Sequence, residues 1–247
     1  MNGLKQAEEA SRVFLDGLRE ILKDKLYGVY IYGAAAFSGT FPLGDIDFHV
    51  ILKDGLAESE RSRLEKLHED LDEKYPPPGE TFDGYYILLD DACKKTFPQS
   101  QMWDRATDDS WALHRAHILA GRQITLYGPD PKEIYPPVNW PEVEDALYGE
   151  LNYVERNLLK YPGYCALNLC RLIYSFETKN VVISKEEASK WAAKNLQGWG
   201  NYIESAVKLY CRWSTIKDEQ FVLAKIGEFL KYSKNRIELA RNQGKNQ

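Results

Sequence analysis

Two aspartates one residue apart, Asp45 and Asp47, stand at the head of an apolar run, Phe48-His49-Val50-Ile51-Leu52. Strand side chains alternate in direction, so the two carboxylates share one face while Ile46 turns to the other. Like charges so close repel unless a cation lies between them. Oxygen-only donors of this kind suit Mg2+, which binds a few carboxylates and leaves its remaining positions to phosphate. A lone pair at a strand mouth also fits a solvated turn, so the flanking residues decide. Gly33 directly follows the preceding apolar run Tyr27–Tyr32, where a residue without Cβ lets the backbone approach a phosphate closely. Ala34-Ala35-Ala36 is small enough to start a helical turn with its N–H groups facing an anion. Gly39 and Gly44 add turning freedom before Asp45.

A third carboxylate is expected if two metals are held, and Asp83 opens the apolar run Tyr85–Leu89. Should that strand lie beside Asp45–Leu52, Asp83 faces the same cluster. Asp90 and Asp91 compete for the role, but they follow the strand like turn residues, at its far end. Asp83 otherwise reads as an exposed strand-end residue. His114 and His117, three apart on a predicted helix, lack a third ligand at metal spacing and read as packing or surface residues, as do His49 and His68. No Ser or Cys stands in a nucleophilic constellation.

The elements that must position these groups follow from periodicity. Apolar residues at helical spacing predict a helix over 3–26, and a strand follows over 27–32. A second strand covers 45–52, a charged helix 57–73, and a third strand 82–89. The run Pro76-Pro77-Pro78-Gly79 separates the last two. A helix over 109–120 and a short strand or extended linker over 121–126 lead to a stiff stretch, 129–141, holding five prolines. Beyond it, helices are predicted over 142–159, 162–177, 185–195, 199–212 and 217–240. The expected architecture is α+β: an N-terminal domain, 1–130, with a small mixed sheet, then a C-terminal helical bundle, 131–247.

Bulk composition narrows the partners. Net charge is −5, with 37 acidic and 32 basic residues, so nothing in bulk attracts a polyanion and no nucleic-acid partner is expected. The chain has no 18-residue apolar run and starts on a charged amphipathic pattern, so a cytoplasmic protein without a membrane partner is expected. Cys93, Cys165, Cys170 and Cys211 form no C-x-x-C pair and read as buried small residues in a reducing compartment. A monomer is expected.

The segment Val29-Tyr30-Ile31-Tyr32-Gly33-Ala34-Ala35-Ala36-Phe37-Ser38-Gly39-Thr40-Phe41-Pro42-Leu43-Gly44-Asp45-Ile46-Asp47-Phe48-His49-Val50 resembles the signature of the polymerase-beta-like nucleotidyltransferase superfamily. Within it, the chain resembles the aminoglycoside adenylyltransferases that modify streptomycin and spectinomycin. Phe82–Asp91 is similar to the strand bearing that family's catalytic carboxylate, and Ile124–Pro129 to its interdomain passage. Leu167–Ser175, Thr178 and Ser184–Ala192 resemble its helical core. The resemblance runs in order along nearly the whole chain.

It implies Mg2+-dependent transfer of an adenylyl group from ATP to a hydroxylated small molecule, with Asp45, Asp47 and Asp83 as metal ligands and Asp83 as general base. Gly33, Ala34 and Ser38 would meet the nucleotide, together with Lys208 and Arg212, read as four apart on one helix. Glu186 and the helix around Trp191 would line the acceptor side, while Trp103, Trp111, Glu150 and Glu187 are candidates for a different acceptor pocket that read more readily as core or solvated residues. Three positions depart from the family: Ala34 stands for the usual Ser, Asp83 for Glu, and the acidic pair of the acceptor helix has become Glu186 and Lys190. The last change favours another small-molecule or protein hydroxyl as acceptor. A non-catalytic nucleotide-binding or interaction module is the alternative that keeps no chemistry.

Overall fold

Three apolar strands, buried almost continuously because both faces are covered, build the sheet on which everything in the N-terminal part depends. A computed structural model describes residues 3–37, 39, 41, 45–75, 81–103 and 110–244. Strands β1 (Leu26–Tyr32), β2 (Asp45–Leu52), β3 (Thr81–Leu88) and β4 (Ile124–Tyr127) form one mixed sheet in the order β3-β2-β1-β4. β1 pairs antiparallel with both β2 and β4, whereas β2 and β3 run parallel. The β2–β3 crossover is made by α2 (Glu58–Lys74), as a parallel connection requires.

The two sheet faces differ in kind. Val29, Ile31, Ile46, Phe48, Val50, Phe82 and Tyr86 pack beneath α1 (Gly3–Leu22) and α2. α1 contributes Ala10, Phe14 and Leu18, all fully buried and one helical turn apart. From α2 come Leu64, His68 and Leu71. The opposite face carries Tyr30, Tyr32, Ile51, Tyr85 and Ile87, covered by α3 (Leu89–Ala92), α4 (Trp111–Leu119) and residues Ile134 and Tyr135.

Four local expectations change. The first helix stops at Leu22, not 26, because Lys23 takes a left-handed φ of 48° and Lys23–Lys25 tighten into a 3-10 turn before β1. The segment after β3 is a short helix, α3, holding both Asp90 and Asp91. The proline-rich stretch contains a 3-10 turn, Pro131–Glu133, capped by Asp130. Cys93 is exposed and Cys211 half-buried; only Cys165 and Cys170 are the buried residues expected.

The chain divides into two compact units, one of Met1–Ser38 and Pro42–Val138, the other of Gly39–Phe41 and Asn139–Gln247. In the second unit α6 (Pro162–Thr178) is buried on most of its circumference and packs against α5 (Trp140–Asn157), α7 (Lys185–Asn195), α8 (Gly200–Tyr210) and α9 (Ile216–Gly244). Among the described residues, no helix is long and apolar enough to cross a membrane.

Candidate active site

Asp45 opens β2 and is exposed, Ile46 is fully buried, and Asp47 is half-buried. The parallel register sets Asp47 directly beside Asp83, and Asp45 beside Thr81. Register partners in adjacent strands project to the same side, so Asp45, Asp47 and Asp83 share one face at the N-terminal ends of two parallel strands. Gly84 permits this pairing: a Cβ there would collide with the Phe48 carbonyl oxygen.

The end of β1 completes the corner. Tyr32 is the cross-strand partner of Asp47, and Gly33 follows it with φ +66°. A Cβ at Gly33 would strike Asp47 Oδ2 and come within 2.6 Å of its Cγ, so two independent constraints require glycine. Gly33–Ala36 form a single 3-10 turn, too short to act as the start of a helix, with Ala34 exposed. Ser38 lies outside the described residues.

Asp45, Asp47 and Asp83 offer the oxygen donors that Mg2+ prefers. All three groups are hard oxygen ligands on one face, and the Asp47 carboxylate lies against Gly33, whose missing Cβ leaves it room. Among the described residues no three acidic, histidine or cysteine side chains by themselves enclose an ion.

Behind the carboxylates, the same sheet face carries a polar cluster that sequence spacing did not reveal. His114 Nδ1 lies 3.1 Å from Tyr32 Oη and 3.3 Å from His49 Nε2, and His114 Nε2 lies 2.7 Å from Ser110 Oγ. His49 Nδ1 is 3.0 Å from Tyr135 Oη. Burial, and secondarily the neighbouring His114, hold the His49 imidazole well below its ordinary pKa. His117 instead packs edge-on against Phe37 at 5.6 Å. No sequence signal links Tyr32, His49, His114 and Tyr135: their contacts span 65 to 86 residues, and His114 and Tyr135 lie outside the strands.

The other predicted site residues scatter. Trp103 packs on His68 at 5.0 Å and Tyr86 at 5.9 Å, under the apolar face and away from the carboxylates. Trp111 does lie on the carboxylate face, 5.3 Å from the His49 ring. Within the helical unit, Glu187 Oε2 accepts bonds from Ser184 N–H at 3.0 Å and Ser184 O–H at 2.8 Å, a helix cap. Glu186 is almost wholly buried; Lys190 Nζ pairs with it at 2.6 Å and the Phe41 N–H donates to it at 3.2 Å. Trp191 meets Tyr174 edge-on. Lys208 lies 3.5 Å from Glu204 and 3.6 Å from Asp218. Arg212 is not on the same helix as Lys208: α8 ends at Tyr210, and Arg212 turns the chain with φ 62°.

Comparison with known proteins gives consistent relatives. Residues 133–236 match the family model described as aminoglycoside adenylyltransferase, C-terminal domain. A spectinomycin 9-adenylyltransferase of Campylobacter jejuni is 24% identical, covering 88% of this chain and 90% of that protein. One from Staphylococcus aureus is 22% identical, covering 91% and 93%. The crystal structure of spectinomycin adenyltransferase AAD(9) from Enterococcus faecialis, with ATP and spectinomycin, superposes with a TM-score of 0.76 at 19% identity. It covers 94% of this chain and 99% of that one, which establishes a shared fold.

Proposed function

We propose that the chain is an aminoglycoside adenylyltransferase, as its similarity to that family's C-terminal domain and to spectinomycin 9-adenylyltransferases suggests, and that it transfers the adenylyl group of ATP to a hydroxyl of a small molecule in an Mg2+-dependent reaction. The observation that carries the reading is the register that sets Asp47 beside Asp83, with Asp45 on the same face and Gly33 beneath the Asp47 carboxylate. Spectinomycin is the first acceptor to test, since it stands in the relatives' names.

Asp45, Asp47 and Asp83 would hold the metal. The chemistry that Mg2+ supplies when bound is charge neutralisation of the triphosphate and a lowered pKa for the acceptor hydroxyl. Asp83 accepts the hydroxyl proton as general base while the acceptor oxygen bonds to the α-phosphorus. The α–β bridging bond breaks and pyrophosphate leaves. Gly33 and Ala34 offer backbone N–H groups to the phosphates without a bulky side chain between. Lys208 and Arg212 are the proposed nucleotide contacts of the helical unit, and Glu186, Glu187 and Trp191 the proposed acceptor contacts; Trp103, packed under the apolar face, is left out of them.

A second reading, transfer to another small-molecule or protein hydroxyl, draws on the acceptor helix. There Lys190 neutralises Glu186, and Glu187 is engaged at the Ser184 cap, which leaves little negative charge for a polycationic sugar. Mass spectrometry after incubation with ATP, Mg2+ and a panel of aminoglycosides and hydroxylated metabolites tests both. A mass increase of one AMP on spectinomycin or streptomycin, absent with Asp47→Asn, is expected under the first reading. Adenylylation confined to another acceptor supports the second; no product anywhere overturns both.

A further inference from the structure

Five side chains behind the carboxylates have no part in the chemistry above, yet they tie the site's two strands to one helix. Tyr32 ends β1, immediately before Gly33 and opposite Asp47. His49 lies two residues beyond Asp47 on the same face of β2 and is fully buried. A single atom, His114 Nδ1 on α4, serves both: it is 3.1 Å from Tyr32 Oη and 3.3 Å from His49 Nε2. Ser110 at one end and Tyr135 at the other extend the chain of contacts.

We infer that His114 is a positioning residue for the metal-binding end of the sheet, holding the Gly33 turn and the Asp47 segment in register by gripping Tyr32 and His49 together. One proton ordering satisfies the chain: His114 Nδ1–H is shared between Tyr32 Oη and His49 Nε2 in a three-centre bond, His49 Nδ1–H donates to Tyr135 Oη, and Ser110 O–H donates to His114 Nε2. It leaves each imidazole with a single proton, so no charge competes with a cation at the carboxylates. The arrangement is specific because Tyr32 and His49 belong to different strands, and a common partner removes the freedom of one to slide past the other. Groups bonded directly to metal ligands are commonly worth about 10–100-fold in metal binding, and His114 acts one step behind them, through the strands that carry the carboxylates, so the low end of that range is expected.

The inference rests on the reading that Asp45, Asp47 and Asp83 bind a metal, and its test separates the two. Mn2+ is titrated into the protein and followed by electron paramagnetic resonance, alone and with a non-hydrolysable ATP analogue, beside thermal melting without metal. His114→Phe fills the space and removes both nitrogens; His114→Asn keeps a polar atom near the Nδ1 position. The expected result is a loss of about 10-fold in Mn2+ affinity for H114F, recovered to within a few-fold in H114N, whatever the change in melting temperature. Should H114F fail to fold, Tyr32→Phe, which deletes one hydroxyl, carries the test with a smaller loss in the same direction. Wild-type Mn2+ affinity in H114F, or in Y32F where H114F does not fold, overturns the inference while leaving the transfer chemistry intact. A wild type that binds Mn2+, loses it in H114F and yet adenylylates nothing overturns the transfer reading and leaves the positioning role standing. A wild type that binds no Mn2+ overturns the positioning role itself.

Discussion

The two faces of the N-terminal sheet are one residue apart in sequence and have opposite physical characters. Ile46, Phe48 and Val50 point into an apolar layer sealed by α1 and α2. Their neighbours Asp45, Asp47 and His49 point into a layer of carboxylates, phenols and imidazoles. The polar layer puts charges and hydrogen-bonding groups where apolar side chains would pack better, and the apolar layer offsets that cost. Stability is thus concentrated under α1 and α2, and chemistry under α4, with the same backbone holding both. Each imidazole illustrates the division. His68, on the apolar side, has its ring among Phe14, Phe48 and Trp103, with Nε2 bonded to Tyr86 Oη at 2.9 Å. His49, on the other side, has polar partners on both nitrogens.

If the faces divide labour this way, substitutions one residue apart must fail differently. The largest expected effect is Asp47→Asn: adenylyl transfer falls on the order of a thousandfold, the scale on which preorganised electrostatic groups act, with little change in melting temperature. Steady-state kinetics beside a thermal melt checks it, and a large melting loss would break the division. Next comes Phe48→Ala, one residue on. Deleting a buried phenyl ring costs about 3–5 kcal/mol of unfolding free energy in urea titrations, while the protein that remains folded keeps its turnover. A specific loss of kcat in folded F48A protein would show that the faces are not separable.

The alternation that divides the faces was legible in the sequence because strand period is fixed: Asp45-Ile46-Asp47-Phe48 states its own orientation. The placement of Asp83 also followed, once β3 was set parallel to β2, since α2 supplies the crossover between them. What covers each face was not legible. Trp103 and Trp111 are both aromatic residues near the end of the sheet domain, but the first lies under the apolar face and the second on the polar one. Nothing in their spacing distinguishes them. The His114 cluster stayed hidden for the same reason: its partners are brought together by tertiary packing, and a histidine three residues from another suggests a helix surface before it suggests a shared hydrogen bond. Arg212 and the early end of α1 turned on a left-handed residue, at Arg212 and Lys23, that carries no glycine to mark it.

A smaller effect concerns pH. His49 is neutral in the folded chain because burial lowers its pKa, whereas in the unfolded chain it titrates near its ordinary value, about 6.5. The unfolded state therefore binds more protons once pH drops below about 6.5, and the stability due to neutral His49 is lost as pH falls from there toward the folded pKa. The slope from one such group is at most about 1.4 kcal/mol per pH unit. Urea titrations between neutral and mildly acidic pH are expected to show it in wild type, and a shallower fall in His49→Leu. An equal slope in both proteins would place the acid-sensitive group elsewhere and remove the contrast with the apolar face.

The smallest effect is the most pointed, because it asks whether one hydroxyl means different things on the two sides of the sheet. Ala34 is exposed in the 3-10 turn after Gly33, where a serine hydroxyl would meet water, or nucleotide phosphate when ATP is bound. Ala34→Ser therefore costs little folding energy and adds one hydrogen bond to a charged ligand, about 1 kcal/mol, which is roughly fivefold in Kd for ATP. Ala10, in α1, is fully buried against the apolar face. Ala10→Ser places the same hydroxyl where its nearest acceptor is its own helix backbone, so it lowers stability by about 1 kcal/mol and leaves ATP affinity unchanged. Calorimetric titration of ATP and thermal melts on the pair resolve the two outcomes. Tighter nucleotide binding in A34S without a melting change, and the reverse in A10S, would carry the division of labour down to a single atom; an ATP affinity in A34S equal to or weaker than wild type would remove the Gly33 turn from the nucleotide site.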